Sequence, residues 1–197
     1  VTQHDVADIT ALERARQRYQ EGREQGATSV TLTVLVIRAV VAALREHPRF
    51  NASVDVERGE LVLRQRYSIG VATDTEHGLL VPVVHDADRL TTRELARELQ
   101  RLAARARSRE LGRDELIGAT FSVSNQGGLG GTAFTPIINP PEVAILGVSR
   151  TRREGERLLL PLSLSYDHRA NNGADAVRFI TTLGRALADP FDLLLES

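Results

Sequence analysis

The stretch SLSYDHRANNGADAVRF, from Ser163 to Phe179, concentrates the reactive chemistry of this chain. His168 stands between Asp167 and Arg169, and an amide, Asn172, follows four residues later. The apolar run before His168 reads as a strand and Gly173 onward as a helix, a junction of the kind on which functional side chains are often mounted. Two readings fit these residue types. One is polar turn chemistry that caps a helix. The other is a histidine serving as general base toward an incoming thiol or hydroxyl. No acid is placed to complete a serine-type triad, and no GxSxG elbow offers a nucleophilic serine.

Two other patterns invite chemistry and lose it on inspection. Gly128-Leu-Gly130-Gly-Thr-Ala133 matches a dinucleotide GxGxxA fingerprint, but FTPIINPP follows where a helix is required. A tight backbone turn is expected there instead. The histidines His4, His47, His77 and His85 are scattered, with no metal-ligand spacing between them, so no metal is expected. His47 precedes Pro48 at a helix end, His77 sits in a turn, and His85 could join Asp86 and Asp88 or simply occupy an exposed loop.

Composition narrows the field further. The 197 residues carry a net charge of -1, with 42% hydrophobic and 26% charged residues, which is ordinary globular composition. That charge recruits neither nucleic acid nor an acidic membrane surface, and no apolar run is long enough to span a bilayer. Cysteine is absent, which removes disulfides, thiolate metal sites and a cysteine nucleophile. All 25 basic residues are arginine, so neither a Schiff base nor a covalently carried cofactor can sit on a lysine here. Methionine is absent even at position 1, and a segment of a longer protein is expected.

The elements that must position His168 can be read along the chain. Gln3 to Asp8 alternates as a strand, and Thr10-Ala-Leu-Glu13 is a capping-box pattern opening a helix that runs to about Gly26. A second helix starts at Thr31 and stops at Pro48. LVLRQRYSIGVAT reads as one long strand, and GLLVPVV as another after a turn at Glu76-His77-Gly78. Thr91-Thr-Arg-Glu94 caps a third helix reaching Leu111, whose arginines at 93, 97, 101 and 105 form a solvated row. GATFSVSNQGGLGG is a strand entering a glycine-rich turn, and EVAILGVSRTRRE and RLLLPLSLSYDH pair as strands. Gly173 to Ala188 is the last helix, ended by Asp189-Pro190. The mixed order of strands and helices predicts α+β, or α/β with a mixed sheet, in one domain without linker or repeat.

The His168 stretch also resembles the C-terminal signature S-x-D-H-R-x-x-(D/N)-G-A of the dihydrolipoamide acyltransferase cores of 2-oxo acid dehydrogenase complexes. HPRFNASVD, IGVATDTEHGLLVPVVHDAD and GATFSVSNQGGLGGTAFTPIINPPEVAILGVS match the same family in order, so the resemblance covers nearly the whole chain. GGTAFTPIINPPEVAILG is most similar to the pyruvate branch, which implies acetyl as the acyl group. The resemblance implies a chloramphenicol acetyltransferase-like α/β two-layer sandwich, its mixed sheet flanked by helices. It implies homotrimers that build cubic or larger cores, with active sites between subunits.

It further implies that His168 removes the proton of the coenzyme A thiol, which then attacks the acyl-dihydrolipoamide thioester. Ser124, in FSVSNQG, would donate a hydrogen bond to the oxyanion from the neighbouring subunit. Coenzyme A would be a substrate, and the lipoyl group would come from a lipoyl domain outside this chain. Decarboxylase and dihydrolipoamide dehydrogenase components would be partners, in a bacterial cytoplasm or a mitochondrial matrix. Two departures stand out. Asn172 occupies a position that most family members fill with Asp, so it acts by hydrogen bonding alone. The arginine-containing segment that precedes the first strand in the family is missing, which bears on assembly and on the coenzyme A end of the channel. Among same-fold rivals, an antibiotic acetyltransferase lacks the GLLVPV and FTPIINPPEVAILG matches. A condensation domain needs a second histidine where Asp167 stands. A silent or engineered self-assembling scaffold is the rival from another class.

Overall fold

The computed structural model describes residues 1–23, 26–76 and 78–195. In chain order its elements are β1 (Thr2–Asp8), α1 (Thr10–Glu21), α2 (Leu32–Glu46), β2 (Ala52–Asp55), β3 (Glu60–Leu63), β4 (Ile69–Thr75), β5 (Gly78–Leu80), β6 (Val83–Val84), α3 (Thr92–Ser108), β7 (Phe121–Asn125), β8 (Ala144–Val148), β9 (Arg152–Glu154), β10 (Arg157–Tyr166), α4 (Gly173–Ala188) and α5 (Pro190–Leu195). The main sheet runs β1-β10-β8-β7-β4-β5, with β6 on β4 and β9 on β10. β7 lies parallel to β4 and β8, and the other pairs are antiparallel, so the sheet is mixed. β2 and β3 form a separate hairpin.

The central strands are apolar because both faces are covered. Every residue of β8 is buried, as is β10 from Leu159 onward. The helices close the core through an aromatic cluster in which Phe179 of α4 sits 4.5 Å from Phe50 and 5.9 Å from Phe121, centroid to centroid. All three rings are fully buried, and truncating any one would cost about 3–5 kcal/mol.

Register decides what the sheet can bring together. Ser124 pairs with Gly147 on β8, which pairs with Ser163 on β10. At the other end of the same strands, Tyr166 pairs with Ala144. His168 therefore lies beyond the end opposite Ser124, past about 10 Å of strand from Ser163 to Tyr166 at roughly 3.3 Å per residue and then in the turn.

Local chemistry explains where the sequence reading holds and where it gives way. The box at Thr91 forms, with Thr91 N–H donating to Glu94 Oε2 at 2.8 Å and Glu94 N–H returning to Thr91 Oγ1 at 3.3 Å. The one expected at Thr10 does not: its hydroxyl donates to Asp8 Oδ1 at 2.5 Å and accepts from Leu158 N–H, while Glu13 pairs with Arg16. That helix stops at Glu21, short of Gly26. α3 stops at Ser108, with Arg109 in the left-handed region (φ 60°). The single long strand expected over LVLRQRYSIGVAT is two, because Asn51 Nδ2 donates to the carbonyls of Arg64 and Arg66 and bends the segment between β3 and β4. β2, the hairpin partner of β3, was not foreseen.

The arginine row on α3 is exposed at Arg93, Arg97 and Arg101, and Arg101 pairs with Glu98 and Glu115. No helix follows the glycine turn. Gly130 and Gly131 have φ of 128° and 78°, and the chain returns so that Phe134 lies on Gly147, where a Cβ would be 2.8 Å from the ring. His77, and with it the centre of the expected turn, lies outside the described residues. Among the described residues no helix is long and apolar enough to cross a membrane.

Candidate active site

The turn carrying His168 is built on the end of β10. Asp167 N–H donates to the Val143 carbonyl at 2.8 Å, and the Asp167 carbonyl accepts from the N–H groups of Ala170 and Asn171 at 3.0 and 3.1 Å. The Asp167 carboxylate takes the Arg169 guanidinium in a fork, 2.6 Å at its shortest, and the Arg169 backbone N–H at 2.9 Å. Arg169 thereby holds the Asp167 carboxyl below the usual carboxylate range. The two charges satisfy each other, and His168 is left exposed on the outside of the turn. Its ring lies 6.0 Å from that of Tyr166. Arg49 braces the turn from beneath, donating to the Ala170 carbonyl, while Asn171 Nδ2 donates back to the Arg49 carbonyl at 3.2 Å.

Asn172 is the N-cap of α4. Its Oδ1 accepts from Asp175 N–H at 2.9 Å, and Asp175 Oδ2 accepts from Asn172 N–H at 3.3 Å. This is a reciprocal cap with Asp in the position usually held by Glu or Gln. The oxygen is committed and the amide nitrogen is not: among the described residues Nδ2 has no partner, and the side chain is exposed. Helix capping therefore uses one atom of the amide and leaves the other unengaged among the described residues.

Ser124 is half-buried at the far end of β7, between Ala72 of β4 and Gly147 of β8. The next residue, Asn125, donates through Nδ2 to Thr33 Oγ1 at 2.9 Å and accepts from Gly127 N–H, fixing the chain as it leaves the strand. A cavity of ≈ 560 Å³ opens on this side, lined by Thr33, Ala72, Thr73 and Arg107 among others. His168 and Asn172 sit on one turn between β10 and α4, four residues apart, and Ser124 lies at the other end of the sheet.

A second cavity of ≈ 520 Å³ lies at the opposite end of the sheet, where β4, β7 and β8 begin, lined by Arg64, Arg66, Ser68, His85, Thr120 and Glu142. Glu142 was missed in the sequence reading. Only 5% of it is exposed; Asn139 Nδ2 reaches Oε1 at 3.3 Å, and Oε2 has no hydrogen-bond partner. Burial pushes its carboxyl up to about 7, against smaller opposing effects of the Ser122 hydroxyl and Asn139. The sequence signal was a lone acid between a diproline and a fully apolar strand.

His4, His47 and His85 have structural partners. His4 Nδ1 meets Ser163 Oγ at 2.9 Å and His47 Nε2 meets Thr182 Oγ1 at 2.9 Å. His85 Nε2 donates to the Asp114 carbonyl at 2.9 Å, while Asp88 pairs with Arg45. Among the described residues no group of three or more His, Asp or Glu could hold a metal.

Comparison with known proteins places this geometry. Residues 1–195 match the family described as 2-oxoacid dehydrogenases acyltransferase (catalytic domain). The dihydrolipoyllysine-residue acetyltransferase component of the pyruvate dehydrogenase complex of Cupriavidus necator is 47% identical over 99% of this chain and 36% of its own length. Its Azotobacter vinelandii counterpart is 46% identical over 99% of this chain and 32% of its own. This chain thus spans about a third of the length of these two relatives.

Among solved structures, an Azotobacter vinelandii dihydrolipoamide acetyltransferase superposes with a TM-score of 0.93 at 44% identity, covering 98% of this chain and 83% of that one. In that enzyme a serine, a histidine and an asparagine were investigated for their part in the catalytic mechanism, the last two being four positions apart. The cubic core of the pyruvate dehydrogenase multienzyme complex aligns equally well, at 0.93 and 44% over the same shares. A chloramphenicol acetyltransferase, 18% identical with a TM-score of 0.66 over 95% of this chain and 87% of its own, shares the fold.

Proposed function

The chain belongs to the 2-oxoacid dehydrogenase acyltransferases, and on that footing we propose that it moves an acetyl group between dihydrolipoamide and coenzyme A. His168 takes the proton of the coenzyme A thiol, and the thiolate attacks the carbonyl carbon of acetyl-dihydrolipoamide. The carbon–sulfur bond to the lipoyl sulfur then breaks, and the imidazolium returns its proton to the departing thiolate. Thiolate is the competent nucleophile, and imidazole is a base matched to neutral pH. Ser124 and the free Asn172 Nδ2 are donors available to a tetrahedral oxyanion and to substrate oxygens.

The observation that carries this reading is the exposed His168 beside the uncapped nitrogen of Asn172, with the same four-residue spacing as the histidine and asparagine of the Azotobacter enzyme. Ser124 faces the opposite end of the sheet, so its partner histidine belongs to a neighbouring copy in a homotrimer. Setting the Ser124 end of one copy against the His168 end of the next would place the two cavities on one passage. Coenzyme A would enter one mouth. A lipoyl arm would enter the other, carried on a lysine that this chain lacks and delivered by a lipoyl domain of the assembled complex.

Acetyl transfer from acetyl-CoA to free dihydrolipoamide, with His168→Ala as control, tests the proposal. Activity in the parent and its loss in the variant is the expected result. An inactive parent that still assembles by light scattering would replace it with a scaffold function.

A further inference from the structure

Among the described residues Glu142 is the one buried carboxylate, and the proposed chemistry leaves it idle. It lies against the Ser122 hydroxyl of β7, and both Glu142 Oε2 and Ser122 Oγ lack a hydrogen bond of regular geometry. Its backbone runs directly into Val143, whose carbonyl is the acceptor for Asp167 N–H at 2.8 Å. Val143 and Ala170, at the two sides of the His168 turn, pack together with Ala52 in a small buried cluster. The turn is thus anchored to the sheet through the residue that Glu142 precedes.

We propose that Glu142 is a positioning residue for His168: its side chain, held between Asn139 and Ser122, fixes the start of β8 and so the Val143–Asp167 hydrogen bond on which the histidine turn hangs. The inference rests on His168 being the base proposed above. The charged or titratable groups that share the cavity are Arg64 and Arg66, from the segment between β3 and β4, and His85 after β6; none of them hydrogen-bonds to the carboxyl. With no cation paired to it, the group is best accommodated as the neutral acid, which can donate to Ser122. The upward shift of its carboxyl points the same way.

Three variants test this, read by steady-state kinetics and by hydrogen exchange at the Asp167 amide. Glu142→Ala should lower kcat about tenfold with KM within about twofold, since the loss is one of geometry at the base. Exchange at the Asp167 amide should quicken by about tenfold as local opening becomes easier. Glu142→Gln keeps the shape and a donor, and should restore both readouts. Ser122→Ala, which removes only a hydroxyl and leaves Glu142 in place, should quicken exchange by about threefold and decides the matter if Glu142→Ala does not fold.

Unchanged Asp167 exchange in Glu142→Ala, or in Ser122→Ala where the former does not fold, would overturn the proposal. So would Glu142→Gln falling as far as Glu142→Ala. Exchange needs no turnover, so an inactive parent would defeat the proposed activity without obscuring the outcome for Glu142.

Discussion

Ser124 and His168 occupy opposite ends of one sheet: Ser124 is level with Ser163 on β10, and His168 lies five residues further along the same chain path. Two groups so placed cannot act on one substrate within a single chain. Chains carrying Ser124→Ala and chains carrying His168→Ala should each be nearly inactive, the former down about 10²–10³ as expected for loss of one oxyanion donor. In the proposed homotrimer, mixtures refolded from equal amounts should regain about a quarter of parental acetyl transfer, because one interface in four pairs an intact serine with an intact histidine. No recovery on mixing would place both residues in one subunit's site.

His168 is exposed, faces the Tyr166 ring and makes no hydrogen bond among the described residues, so its removal should be silent in folding. His168→Ala is expected to keep the parental Tm within about 1 °C, as exposed substitutions generally do, and to lose at least about 10³ in kcat. Thermal melts and acetyl-transfer assays on the same preparation separate the two effects.

Asn172 engages Oδ1 in the cap and leaves Nδ2 for the role proposed above. Asn172→Ala should lose the cap, at about 1 kcal/mol in urea unfolding, together with turnover. Asn172→Asp keeps a capping oxygen, so stability should match the parent while turnover falls between parent and alanine variant. No stability loss in Asn172→Ala would show that the cap does not depend on the side-chain oxygen.

How much of this was legible differs residue by residue. The strand–turn–helix around His168, the Thr91 box and the pairing of the last two long strands follow from local pattern, because in each the competing partners are also local. Thr10 was misread because Asp8 and Leu158 claim its hydroxyl, and Leu158 is distant in sequence. The long strand over 61–73 was misread because Asn51 bends it by tertiary hydrogen bonds. Ser124 and His168 could each be named through resemblance, but their separation is a matter of sheet register, which no single segment encodes. Glu142 has no local signature beyond an acid where an apolar residue would fit.

Glu142 also sets a pH dependence whose sign is fixed. Its folded carboxyl titrates at about 7 against an ordinary 4.5, so between those values the native state holds a proton that the unfolded chain has released. Stability should therefore fall as pH rises through that window, by up to about 3 kcal/mol, and level off above it. Glu142→Gln removes the ionisation and should be the more stable protein at pH 8 by about 2–3 kcal/mol, with little difference at pH 4.5. Urea unfolding at fixed protomer concentration reads this directly, and parallel curves for the two proteins would exclude it.

Asn172 is followed by Gly173, the dipeptide in which an asparagine most readily cyclises to a succinimide and ages to aspartate or isoaspartate. The reciprocal cap with Asp175 holds the asparagine at ψ 174° with its carbonyl oxygen engaged and the Gly173 nitrogen inside the first helical turn. The same two hydrogen bonds that start α4 thus double as a preservative, and the chemical lifetime of the site becomes a gauge of how often that turn frays. Peptide mapping of stored protein should find isoaspartate at this position accumulating faster in Asp175→Ala than in the parent.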